Sequence, residues 1–418
     1  MDSRRIVIVA LGSRGDVQPH VALGVGLARA GHNVRVLTAS DFRELVESHG
    51  LEFVDAGGST EAVAKEMEDL LEQGNFLKIL KKMGAAANEL SLEAAKRGLA
   101  ACEGCELIVA GLGGLSIASS LAEKLGVRFV SAYLYPFTPT REFPSVLVGI
   151  PQTPLTSWLN PLSHRLGQQM MWQTTRSSTN RARREVFGLQ RAAFWGASEG
   201  SQQPGDLVLC GYSPHVIPVP RDWDDRHVVT GYWFLDESDD WAPPSELADF
   251  LNAGPAPVYV GFGSMGSKNA ESTADLVLEA LRRTGQRGVL SAGWGGLEKS
   301  SLPDGVLMVG SVPHSWLFSR MAAVVHHGGA GTTAAGFRAG VPAVITPVLG
   351  DQPFWARRAH ALGVAPAPVM RRHLTVERLA EAITQATSDA AMRRTASDLG
   401  EKIRREIGVA RAIEALFP

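Results

Sequence analysis

Eight consecutive residues, His326-His327-Gly328-Gly329-Ala330-Gly331-Thr332-Thr333, carry more chemistry than any other stretch of the chain. The apolar run 321–325 before them reads as a buried strand, and 334–339 after them as a helix. The first N–H groups of a helix have no intrahelical partner and lie at the positive end of its dipole, so they bind anions. Glycines let a phosphate approach that backbone without meeting a Cβ. The spacing therefore predicts a diphosphate cradle. Gly328, Gly329, Ala330, Gly331 and Thr332 supply backbone donors, and His326 supplies a ring contact. His327 is either a second contact or a ring packed into the sheet.

The next buried strand, 343–346, leads to Gly350-Asp351-Gln352-Pro353. Open α/β sheets bind ligands outside the carboxyl ends of their strands. A carboxylate and an amide there offer the acceptors and donors that sugar hydroxyls require. Asp351 also suits a helix N-cap ahead of Pro353, and the two roles are compatible.

These turns need parallel sheets behind them, and the rest of the chain supplies the signals. Strand patterns at 6–11, 33–38, 106–110 and 128–132 alternate with helical ones at 21–29, 42–49 and 116–125, and a long helical stretch covers 62–101. A second set alternates over 258–346, with helices at 376–388 and 390–415 closing the chain. Alternation of this kind implies βαβ units and an α/β class. Between the sets, 135–160 is proline-rich and irregular, and 162–189 reads as one or two amphipathic helices. Together they are either walls of a cleft for a second, apolar substrate or a surface loop over a satellite cluster.

A chain of 418 residues predicts two or three domains. The net charge of −2 provides no field to recruit nucleic acid or anionic lipid, and the short basic clusters at 181–184 and 357–358 read as solvated helix faces. No apolar run is long enough to span a bilayer or, at 6–10, to act as a signal peptide, which predicts no stable membrane insertion. Three cysteines, two of them spaced as Cys102 and Cys105 without a histidine partner, argue against a disulfide framework or a metal site. The expected location is the cytoplasm.

Four ordered blocks make the reading specific. They are Gly12-Ser13-Arg14-Gly15-Asp16-Val17-Gln18-Pro19, Val219-Pro220-Arg221-Asp222-Trp223 with Val229-Thr230-Gly231-Tyr232-Trp233-Phe234, Val258-Tyr259-Val260-Gly261-Phe262-Gly263-Ser264, and 311–352. They resemble the nucleotide-sugar glycosyltransferases of family 1 with the GT-B fold, in the branch of the sterol glucosyltransferases and the bacterial transferases acting on glycopeptides and polyketides.

The resemblance implies two facing Rossmann-like domains with parallel sheets and an interdomain cleft: residues 1–213 for the acceptor, a linker at 214–244, residues 245–400 for the nucleotide sugar, and 401–418 as a helix returning to the first domain. It implies a donor site of Ser13, Arg14, Gly15, Ser264, Val312, His326, Gly328 to Thr332, Asp351 and Gln352. Tyr135, Phe137, Phe143 and Met170 are assigned to the acceptor. The nucleotide sugar is a co-substrate, UDP-glucose before a dTDP-sugar, with no cofactor and no metal. The Asp222-Trp223-Asp224 triplet reads as a turn. A hydrophobic small molecule such as a sterol, terpenoid, polyketide or flavonoid is the acceptor, and the protein is expected as a monomer or weak dimer.

Asp16 stands where many relatives carry a histidine base, and Gly111 stands where they carry the aspartate that orients it. A carboxylate base has no tautomer to fix, so the two departures agree, and Asp16 is assigned as general base of an inverting transfer. Its alternative role is a cap for a helix beginning near Gln18; His20 is the reserve base. Ala334 and Ser311 replace a ribose-binding glutamate and a base-stacking tryptophan of plant relatives. The competing readings are a nucleotide-sugar epimerase of the same architecture and a non-catalytic nucleotide-sugar-binding protein.

Overall fold

The computed structural model describes residues 3–60, 62, 76–148, 157–196, 207–236, 241–262, 270–291 and 302–418. The chain forms two units, each with its own sheet. One comprises Met1–Val63, Leu77–Leu235 and Glu406–Pro418, and the other is built on Asp236–Arg405.

In the first unit β1 (Arg5–Val9), β2 (Asn33–Thr38), β3 (Glu52–Asp55), β4 (Leu107–Ala110), β5 (Arg128–Tyr133), β6 (Val208–Cys210) and β7 (His227–Val229) form one parallel sheet in the order β3-β2-β1-β4-β5-β6-β7. Helices α1 (Arg14–Arg29), α2 (Arg43–Glu47), α3 (Phe76–Ala101), α4 (Leu115–Leu125) and α5 (Asn160–Glu185) connect or cover the strands. β1 and β4 read as unbroken apolar runs because a parallel strand is covered on both faces. Ile6 and Ile8 face one apolar cluster with Leu23 and Leu27 of α1, while Val7 and Val9 face another. Each such side chain contributes about 1.5–3 kcal/mol on full burial. The chain starts at β1 in mid-sheet and builds outward, first through β2 and β3, then through β4 to β7, so the strand order reverses between β1 and β4.

The second unit repeats the plan with α6 (Ser245–Asn252), β8 (Val258–Gly261), α7 (Ala270–Thr284), β9 (Gly288–Ser291), β10 (Val306–Val309), α8 (His314–Leu317), β11 (Ala323–His326), α9 (Ala330–Ala339), β12 (Ala343–Ile345), α10 (Gln352–Ala361), α11 (Val376–Ser388) and α12 (Ala390–Arg404). Its parallel sheet has the order β10-β9-β8-β11-β12, which reverses between β8 and β11.

Three local expectations change. The stretch 214–244 is not simply a linker: β7 lies within it and pairs with β6, so the first unit runs on to Leu235. The closing helix divides at residues 405–407, and α13 (Gly408–Leu416) belongs to the first unit. It packs Val409 and Ile413 onto the cluster beside α1, and Leu416 O accepts from Arg128 Nη1 at 2.6 Å. Finally, α1 begins at Arg14 rather than near Gln18 and carries Pro19 inside it. Pro19 lacks an N–H and forgoes one helical bond, but Ser13 and Asp16 secure the preceding turn.

Among the described residues no helix is long and apolar enough to cross a membrane.

Candidate functional site

In the second unit the crevice outside the carboxyl ends of β8 and β11 is the switch point where open sheets bind ligands. β11 ends at His326, and α9 begins after the N-cap Gly329. Gly328 links them at φ 93°, and a Cβ there would stand 2.7 Å from Ile345 Cγ2. The first turn of α9 depends on a residue without a side chain.

His326 is fully buried, and the Gly328 N–H donates to its Nδ1 at 3.0 Å. Burial, then the neighbouring His327 and His314, push its pKa well below 6.5, so the ring is neutral. With Nδ1 accepting, the single ring proton resides on Nε2. That Nε2 is buried and has no partner within the protein. A buried donor so left is costly unless a ligand oxygen meets it. His326 occupies the sheet, while His327 is half-buried beside Gly329, its pKa lowered to about 4 by burial. Ala330, Gly331 and Thr332 form the first turn of α9, half-buried.

Asp351 holds the N-cap position of α10, but its side chain caps nothing there; Oδ2 accepts from Trp355 Nε1 at 2.8 Å. Gln352 Oε1 accepts from the Val348 N–H at 2.8 Å. Both therefore hold fixed orientations at the end of the loop after β12. Val312 is half-buried in the loop between β10 and α8. Ser264 lies outside the described residues.

The first unit has its own switch point, outside β1 and β4. Asp16 stands there in the first turn of α1, half-buried, its Oδ2 accepting from the Ser13 N–H at 2.8 Å and from Ser13 Oγ at 2.9 Å. Burial raises the Asp16 pKa above 3.8, opposed by the Ser13 bonds. Asp16 therefore contributes to the helix start and is also a stronger base than a surface aspartate. Ser13 directs both its donors at Asp16, and Arg14 Nε donates to Gln18 Oε1 at 3.1 Å. Gly15 follows them in the first turn, half-buried. Their assignment to the donor thus meets competing bonds within α1.

His20 is not placed as a reserve base. It is 1% exposed, with Nδ1–H donating to the Asp16 carbonyl at 2.6 Å and its ring edge-on to Trp233. Burial lowers its pKa. A Cβ on Gly111 would lie 2.7 Å from His20 Cε1, so the imidazole fills the space that a side chain at 111 needs. This is a physical reason for glycine at position 111. The i, i+4 spacing of Asp16 and His20 was the available signal for this support.

The segment 135–148 is clamped from two sides. Asp222 accepts from Thr140 Oγ1 at 2.6 Å and from the Arg141 N–H at 2.8 Å, while Trp223 Nε1 donates to Pro139 O at 3.0 Å. From α5, Asn160 Nδ2 donates to Arg141 O and His164 Nε2 to Phe143 O. The Asp222-Trp223 pair is thus a fastening for this segment, a role its turn-like sequence did not reveal. Tyr135, Phe143 and Met170 are half-buried, whereas Phe137 packs into the interior against Tyr133. Cys102 and Cys105 are buried free thiols beyond the end of α3. Among the described residues no group of three or more His, Cys, Asp or Glu side chains gathers as a metal site would.

Comparison with known proteins gives concordant results. The family described as glycosyltransferase family 28 N-terminal domain matches residues 6–144, and the erythromycin biosynthesis protein CIII-like C-terminal domain matches 292–407. Two sterol 3-beta-glucosyltransferases of Arabidopsis thaliana are similar: one is 35% identical, covering 99% of this chain and 65% of the relative, the other 36%, covering 98% and 67%. A sterol 3-beta-glucosyltransferase of Debaryomyces hansenii is 34% identical over 99% of this chain but only 27% of its own length. The chain thus spans between about a quarter and two thirds of these relatives. Among solved structures, the calicheamicin glycosyltransferase CalG4 matches with a TM-score of 0.68 at 17% identity, covering 100% of this chain and 98% of that one. The glycosyltransferase VinC in complex with dTDP matches at 0.67 and 18%, covering 99% and 98%. At such identities these structures show a shared fold.

Proposed function

Because the chain belongs to the GT-B glycosyltransferases, in the branch of the sterol 3-beta-glucosyltransferases, we propose that it moves a glucosyl unit from a nucleotide diphosphate sugar to a hydroxyl of a sterol or similar lipophilic small molecule. UDP-glucose is favoured over dTDP-glucose as donor. The nucleotide sugar is a co-substrate, and no cofactor enters the scheme.

One observation carries the reading: a neutral, tautomer-fixed His326 whose buried Nε2–H lacks a protein partner, at the strand end that leads into Gly328, Gly329 and α9. In this scheme the diphosphate accepts from that Nε2–H and from the first N–H groups of α9. These preorganised donors stabilise the charge that develops as the bond to the anomeric carbon breaks. Asp351 and Gln352 hold the sugar hydroxyls.

Asp16 receives the acceptor's proton. Its pKa stays far below that of an alcohol, so transfer is late, when bonding to an oxocarbenium-like carbon has acidified the hydroxyl. Attack from the face opposite the leaving diphosphate inverts the anomeric centre. His20 holds the Asp16 carbonyl and acts as a positioning residue.

Mass spectrometry of reactions containing UDP-glucose or dTDP-glucose with sterol, macrolide and flavonoid acceptors tests the proposal. The expected result is a hexose-sized gain on one acceptor class with UDP-glucose. Turnover of the nucleotide sugar without an acceptor would indicate an epimerase, and tight nucleotide binding with no product under any condition would indicate a binding protein.

A further inference from the structure

The described residues of the first unit display an apolar ridge on and beside α5. Trp158, one turn ahead of α5, is 75% exposed, and Leu162 and Leu166 follow it on the helix at 58% and 50%. The spacing of four places all three on one face, along about 12 Å. Beside the middle of α5 a turn presents Phe194 and Trp195, 53% and 73% exposed and edge-to-face at 5.2 Å. The backbone of this turn is fastened: Gln169 Nε2, Trp172 Nε1 and Gln173 Nε2 all donate to Phe194 O. Three side chains thus hold two aromatic rings out in water. Scattered surface hydrophobes have no such fastening, and a contiguous exposed patch marks an interaction site.

Charge identifies the partner. Residues 157–196 contain six arginines and one acid, Glu185, in a chain of net charge −2. Arg183 is occupied by a two-pronged pair with Glu123. Arg181 pairs with Glu185 at 3.3 Å. Of the rest, Arg165 sits exposed between the two leucines, the Arg176 guanidinium lies 4.7 Å from the centre of the Phe194 ring, and Arg184 and Arg191 are exposed further along the chain. Tryptophans that have both an apolar body and an N–H belong at a bilayer's headgroup level, and arginines around them suit anionic headgroups.

We propose that the ridge of Trp158, Leu162, Leu166, Phe194 and Trp195, with its arginine border, docks the protein reversibly on an anionic phospholipid surface. This goes beyond the transfer reaction and does not depend on it.

The test is sedimentation of the full chain with phosphatidylcholine vesicles, with and without phosphatidylserine, alongside a Trp158→Ser/Trp195→Ser double variant and an Arg165→Glu/Arg184→Glu variant. Binding to the phosphatidylserine vesicles is expected, weakened by salt, with a blue shift of tryptophan emission and about a tenfold loss of partitioning in either variant. Thermal melting checks that the variants fold. Absence of binding to anionic vesicles, or equal binding by wild type and both folded variants, overturns the proposal. So does a concentration-dependent dimer that the tryptophan variant abolishes, which would assign the ridge to a second copy of the chain. A failure of sugar transfer with vesicle binding intact would refute the enzymatic reading alone.

Discussion

Replacing Asp16 by Asn separates its two contributions. The amide oxygen can still accept from the Ser13 N–H and Oγ, so the contacts at 2.8 and 2.9 Å survive and α1 keeps its first turn. What is lost is the charge. Two stability effects then oppose each other. An ionised group near the helix N-terminus gains about 0.3–1 kcal/mol from the dipole, and that gain disappears. Burial disfavours the same charge, which is why the Asp16 pKa is raised, and removing it relieves that cost. The melting temperature should therefore stay within about 2 °C of wild type. Activity responds otherwise, because an amide cannot take a proton from the acceptor hydroxyl. Loss of a general base costs about 10²–10⁴ in rate. Initial rates of hexose transfer, followed by mass spectrometry across pH, provide the assay. In the wild type the rate falls as pH drops through the ionisation of Asp16, at a pH above the 3.8 of an ordinary aspartate. In the variant that limb is absent. A folded Asp16→Asn protein that transfers sugar within tenfold of wild type would refute the assignment.

The second sheet offers sharper structural tests. His326→Ala leaves the Gly328 N–H without its acceptor at 3.0 Å, costing about 1–3 kcal/mol in stability, and should also abolish the rise in melting temperature caused by UDP. Gly328→Ala forces a Cβ to 2.7 Å from Ile345 Cγ2 at a φ of 93°, so a loss of about 1–2 kcal/mol and weaker UDP binding by calorimetry are expected. His20, His326 and His327 all have pKa values lowered by burial, so below about pH 6.5 the unfolded chain takes up protons that the fold excludes. Stability falls as pH drops through that value, and His327 stops contributing near pH 4, where its own ring protonates in the fold. Urea midpoints at several pH values measure the slope, and His327→Asn should flatten it.

Sequence revealed what periodicity encodes. The strand β4 (Leu107–Ala110) is found where the apolar run at 106–110 places it, because a parallel strand covered on both faces is apolar throughout. β7 escaped notice. Three residues, His227–Val229, carry no period, and their place is decided by pairing with β6. Pro19 favours a first helical position and so points to a start near Gln18, while the Ser13–Asp16 bonds establish α1 earlier. At the candidate site, residue types near the strand ends were legible and side-chain directions were not. Nothing in the linear pattern distinguishes a buried His326 from a half-buried His327. Likewise, the packing of the His20 ring against Gly111 appears only once β4 lies beside β1.

The return of α13 to the first unit has a consequence for synthesis. A ribosome delivers Asp236–Arg405 before residues 406–418, so the second sheet has its strands and helices available while the first unit still lacks a helix. Until then the α1 surface that receives Val409 and Ile413 stays open, and Arg128 lacks the Leu416 carbonyl. The unit translated first is thus the last to be completed. A nascent chain stalled shortly before residue 406 would carry one complete unit and one lacking its last helix, with the incomplete one nearer the amino terminus.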